Sequence, residues 1–78
     1  MNAGKEPHIF AGTHTEIESN KRVVVDGCDG IVDYGDDEVI VKSGRLIITI
    51  SGRDLRLKIL TDSSAVIEGY LSSVHFGY

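Results

Sequence analysis

Val and Ile supply 17 of the 78 residues, against 9 for Ala, Leu and Met together. A branched Cβ is stiff in a helix and comfortable on a pleated strand, so this aliphatic set selects sheet. From Arg22 onward short apolar runs alternate with Gly or Ser turns at a spacing of about eight to ten residues, the signature of a meander, sandwich, barrel or roll. No apolar repeat of helical period interrupts them. The expected strands cover residues 22–26, 31–34, 38–42, 45–51, 54–60, 65–71 and 74–78, with a weaker one at 14–19. The resulting fold class is all-β: a single small domain, an antiparallel meander of about seven short strands forming a sandwich or β-roll over residues 13–78. Residues 1–12 mix Gly, Pro, Lys and Glu with only Ile9 and Phe10 as apolar neighbours and read as a flexible N-terminal arm.

Strand parity allows the hairpins to be checked against one another, because a one-residue slip turns every side chain to the other face. A two-residue turn at Gly52-Arg53 would oppose Ile50 to Leu55, Ile48 to Leu57 and Leu46 to Ile59, all on one side. A Ser43-Gly44 turn would place Val41 opposite Leu46 and Val39 opposite Ile48 on that side too. A loop at Asp62-Ser63-Ser64 would pair Lys58 with Glu68 and Arg56 with Tyr70 on the other. Leu46, Ile48, Ile50, Leu55, Leu57 and Ile59 are therefore the expected core. Ile40, Ile47, Leu60 and Val66 fall on the far face, and the N-terminal strands are expected to cover it as a second layer, with an intersubunit contact as the alternative or additional cover.

A domain of this size buries a modest share of its unfolded surface, and small domains are commonly stapled by disulfides, a metal or association. Cys28 is the one cysteine and cannot close an intrachain disulfide; no paired Cys/His spacing supplies a zinc site. Association is what remains. No stretch approaches the length of a membrane span, and the first residues lack the apolar core of a signal peptide, so direct membrane insertion is not expected and the location is read as cytoplasmic.

The formal charge of −4 argues against non-specific nucleic-acid binding. It hides an asymmetry: residues 1–38 hold 3 Lys/Arg against 9 Asp/Glu, and residues 39–78 hold 5 against 3. One domain thus carries surfaces of opposite sign, which steer association when they meet a complementary field. The acidic run Asp26, Asp29, Asp33, Asp36, Asp37, Glu38 invites a cation, but Asp26-Gly27-Cys28-Asp29-Gly30 lacks the calcium-loop spacing, and Asp with Gly is ordinary turn chemistry. Cys28 with His8, His14 or His75 would be the elements of a nucleophile and base, yet Cys28 lies between glycines and two of those histidines precede the first clear strand. No Gly-rich phosphate motif opens a helix. No catalytic residue, metal ligand or cofactor is assigned.

The segments Ser19-Asn20-Lys21-Arg22, Val25-Asp26-Gly27-Cys28-Asp29-Gly30-Ile31, Tyr34-Gly35-Asp36-Asp37-Glu38-Val39, Gly44-Arg45-Leu46-Ile47-Ile48, Ser51-Gly52-Arg53-Asp54-Leu55, Val66-Ile67-Glu68-Gly69 and Val74-His75-Phe76 stand in an order that resembles the YabP/YqfC family of sporulation proteins. The short connection Leu60-Thr61-Asp62-Ser63-Ser64 is closer to its YqfC-like branch. The resemblance implies a small protein of endospore formation with no established catalytic activity, acting beside membrane-bound sporulation proteins. It carries no catalytic residue over to this chain. The expectation is a non-enzymatic protein that works by protein–protein association, with itself as a homo-oligomer or with another sporulation protein, through Ile40, Ile47, Arg56, Lys58 and Tyr70. Two readings of other classes stand beside it: a ligand- or metal-binding domain using the acidic 26–38 loops, and a small hydrolase gathering Cys28 or a carboxylate pair with His75.

Overall fold

The computed structural model describes residues 12–78; the expected arm, apart from Gly12, lies outside the described residues. The described chain is all strand and turn. It holds β1 (His14–Glu18), β2 (Arg22–Asp26), β3 (Gly30–Tyr34), β4 (Glu38–Ser43), β5 (Leu46–Leu60) and β6 (Ser64–Gly77). All neighbours are antiparallel, in the order β1-β2-β6-β5-β4-β3. This is one open six-stranded sheet.

Where seven short strands were expected after the first, five are found, because two expected turns are bulges. β5 runs 15 residues through Gly52-Arg53, and β6 runs 14 through Ser72-Ser73. The hairpin register through Gly52 is thereby overturned: Ile48 opposes Phe76 and Ile50 opposes Val74, while Leu57 opposes Ile67. Gly is the residue of tight turns and of bulges alike, and only its long-range partners decide between them. Here Gly52 lies against the Tyr70 carbonyl so closely that a Cβ would collide with it. Asp54 at φ 54° and Gly69 at φ 151° complete the kink on facing strands.

The other two expected hairpins form with shifted registers. Val41 opposes Ile48, Val39 opposes Ile50 and Ser43 opposes Leu46, so the turn residues are Gly44-Arg45. Gly44 takes φ 59° at the first turn position, as a type II′ turn requires. The shift is two residues, so the apolar face survives it. Between β5 and β6 the loop is Thr61-Asp62-Ser63, with Leu60 opposite Ala65, and the Thr61 hydroxyl accepts from the Ser63 and Ser64 amides at 3.3 and 3.0 Å. The bulge between Leu57 and Ile59 then sets Arg56, not Lys58, opposite Glu68 and brings Arg53, not Arg56, opposite Tyr70.

Bent at the bulges, the sheet folds on itself. β2 and β4 stand three places apart in it, yet Val23, Val25, Val39, Val41, Ile48, Ile50, Ala65 and Ile67 form one cluster with no solvent exposure. A flat sheet exposes both faces, so this burial comes from one half closing over the other. The halves are β3, β4 and the starts of β5 with the end of β6, and β1, β2 with the remainder of β5 and β6. Loop 27–29 ties them. The Gly27 and Cys28 amides donate to the Ser63 carbonyl at 2.7 and 3.1 Å, and the Asp29 amide donates to Lys42. The expected second layer is therefore corrected: the N-terminal strands join the same sheet beside β6 and face the shared core, leaving Ile40, Ile47 and Val66 on the outer surface half-buried rather than covered. Ile59 is also corrected. It was expected inside and is 54% exposed opposite Val66.

Candidate functional site

The outer face of β1, β2, β6 and β5 carries one cross-strand row of charge, because alternation that sends Val23, Val25 and Ile67 inward sends Arg22 and Glu68 outward. Glu18 opposes Arg22, Arg22 opposes Glu68, and Glu68 opposes Arg56. The Arg22 guanidinium lies 2.7 Å from the Glu68 carboxylate and 3.7 Å from that of Glu18. Exposed pairs of this kind contribute at most about 1 kcal/mol and fix geometry more than stability. Beside the row, Tyr70 has two cations over its ring, Lys21 Nζ 5.1 Å and Arg53 Cζ 5.3 Å from its centre.

Glu18, Lys21, Arg22, Glu68 and Tyr70 line an open cavity of about 660 Å³, with Arg56, Lys58, Asp54, Gly69 and Ser19 on its walls. Among the described residues, the two non-glycine positions of positive φ, Ser19 and Asp54 at 54°, sit on this rim. Backbone strain held by the surrounding fold is a common mark of functional surfaces. The lining holds four cations, Lys21, Arg22, Arg56 and Lys58, against three carboxylates, Glu18, Asp54 and Glu68, with Glu18 and Glu68 both drawn to Arg22. The balance is cationic. A second, apolar row of Val24, Val66 and Ile59 runs alongside.

Of the five residues expected at a contact, Arg56, Lys58 and Tyr70 are brought together here. Ile40 and Ile47 are not: they lie on the outer face of the other half, opposite Thr49 and opposite Lys42 and Gly77. Lys21, Arg22 and Glu68 are not assigned by sequence reasoning, because the β2–β6 pairing that gathers them joins segments about forty residues apart; Arg53 reaches Tyr70 only through the shifted β5–β6 register. Alternation around Val23 and Val25 was the available signal for Arg22.

The acidic run serves turns and strand contacts. Asp29 accepts from the Gly44 amide at 2.7 Å, Asp26 from the Ser64 hydroxyl at 2.7 Å, and Asp33 from the Tyr34 amide at 3.0 Å. Among the described residues no group of three His, Cys, Asp or Glu side chains is placed to hold a metal ion. Cys28 is buried in the core, its thiol donating to the Val25 carbonyl at 4.0 Å. His14 lies with Glu16 on β1, and His75 lies opposite Thr49.

Burial pushes the Cys28 thiol up, with a smaller push from Asp29 and opposing backbone hydrogen bonds. Because the folded-state value is raised, the neutral thiol's contribution is intact below the ordinary thiol range and is lost as pH rises through the raised value. Melting temperature is expected to fall at alkaline pH more steeply for the native chain than for Cys28→Ala. Modification by a thiol reagent is expected to wait on unfolding, accelerating with denaturant; rapid labelling of the folded protein would contradict this placement.

Fold and surface together define a small all-β domain built from one folded sheet, with a cationic groove on its outside and no helix of the described chain long and apolar enough to cross a membrane. The YabP family model matches residues 12–78, and the chain belongs to that family. Membership fits a sporulation-related role. No curated protein matches the chain.

Proposed function

We propose that this protein acts in the cytoplasm of a sporulating cell as a non-enzymatic association module of the YqfC-like kind, and that its groove takes an acidic segment of a partner protein, a membrane-bound sporulation protein included. The observation that carries the reading is the Tyr70 ring with Lys21 and Arg53 over it and Arg56 and Lys58 in the same groove lining. An aromatic face flanked by cations grips a peptide through apolar contact while the cations match its carboxylates. The small net cationic excess favours steering over tight burial of charge, so the contact should weaken with salt.

Arg56→Gln/Lys58→Gln removes two groove charges at exposed positions. Its unfolding free energy is expected to stay within about 0.5 kcal/mol of the native chain's, as is usual for surface changes. In cells carrying it as the only copy, the spore yield is expected to drop to that of a strain lacking the protein. A native yield from these cells, with the variant folded and present, rejects the groove as the working surface.

A further inference from the structure

Strand order puts β6 in the interior of the sheet, between β2 and β5. That is true of its first half only. β2 pairs with residues 64–68, and the Lys21 and Asn20 carbonyls extend the contact to the Gly69 and Leu71 amides. From residue 73 onward β6 pairs with β5 alone, and no described residue pairs along its other side. The end of β6 is thus an edge strand concealed by the topology.

Proteins blunt sheet edges with charges, proline or bulges, since a row of unpaired amides and carbonyls recruits other strands. The two nominal edges follow that rule: β1 carries Glu16 and Glu18, and β3 carries Asp33 and an irregularity between Ile31 and Asp33. The concealed edge does not. Ser72-Ser73-Val74-His75-Phe76-Gly77-Tyr78 contains no Asp, Glu, Lys, Arg or Pro, and its irregularity lies at its start, next to Gly52. It also displays Phe76, 49% exposed although it opposes fully buried Ile48.

We propose that this edge pairs with the same edge of a second copy of the chain, antiparallel about a two-fold axis through His75. An isologous strand contact demands a self-complementary sequence with no carboxylate or ammonium facing its own image. In this register Val74 meets the partner's Phe76, and Ser73 meets the partner's Gly77, so the exposed phenyl ring is covered twice over and two folded sheets become one. The contact goes beyond the groove reading: it uses a different surface and no ion pair, leaving both grooves open.

Light scattering on the full chain is expected to give twice the 8.5 kDa chain mass, at low and at high salt alike. Ser73→Lys/His75→Lys alters two exposed side chains and is expected to reduce the mass to that of one chain while circular dichroism keeps the strand signal. Should the double variant fail to fold, Ser73→Lys alone is expected to raise the dissociation constant at least about tenfold, a shift of about 1.4 kcal/mol. Arg56→Gln/Lys58→Gln is expected to remain dimeric. A native chain of single-chain mass, or a dimer indifferent to the edge lysines, overturns the proposal. A dimer lost in salt and in the groove variant does so too, because it moves the contact to the groove; spore yield tests the function separately.

Discussion

Gly69→Ala is expected to leave little folded protein. At φ 151° the backbone lies in a region that side chains with a Cβ rarely adopt, and such strain costs on the order of 1–3 kcal/mol. The added methyl would also sit 2.7 Å from the Asp54 carbonyl and 2.9 Å from Leu55 Cα, both backbone atoms that cannot swing aside. Overpacking of that kind adds about 1–3 kcal/mol. A chain of 78 residues has a total stability of about 4–12 kcal/mol by the usual per-residue figure, so the sum removes much of it. The kink carried by Gly69 lets the two halves close, and its loss should appear as reduced near-ultraviolet dichroism with exposed apolar surface rather than as a small shift in melting. A variant that unfolds with native midpoint would refute the kink.

Ile67→Ala and Ile59→Ala should differ sharply although both remove the same atoms. Ile67 has no solvent exposure and is paired with Val23 on one side and Leu57 on the other, in the cluster shared by both halves. Truncation there is expected to cost about 2–5 kcal/mol, transfer plus cavity. Ile59 is half exposed beyond its bulge, and its truncation should change stability by about 0.5 kcal/mol or less. Urea unfolding with an unchanged slope measures both. Equal losses would mean that the bulge between Leu57 and Ile59 is misplaced and that the register at the end of β5 continues without interruption.

The contrast between those two isoleucines marks where parity stops being informative. Along 46–51 and 38–43, strict alternation places Val39, Val41, Ile48 and Ile50 inside, and they are inside; a turn displaced by two residues changes nothing because the pleat repeats every two. Past Gly52 the counting still places Leu55 inside and Leu57 against the core, but it fails at Ile59, since the bulge after Leu57 adds one residue to one strand and reverses the face beyond it. Arg56 and Lys58 were still legible as outward cations. Their company was not: Lys21 and Arg22 reach Tyr70 and Glu68 only through the pairing of β2 with β6, a contact between sequence-remote segments that carries no local signature. Ile40 and Ile47 share outward parity with Arg56, but parity along a bent sheet does not put residues on one surface.

Local chemistry decided the strand class, the turn positions to within a residue or two, and the inward identity of the first aliphatic set, because β-branched stiffness, glycine's left-handed turn and the two-residue pleat act between near neighbours. Tertiary structure alone decided that Gly52 and Ser72 bend long strands instead of ending short ones, that β2 lies against β6, and that one sheet supplies both of its own layers. Those outcomes depend on which distant backbone meets Gly52 and Gly69, and a distant backbone leaves no trace in the residues beside them.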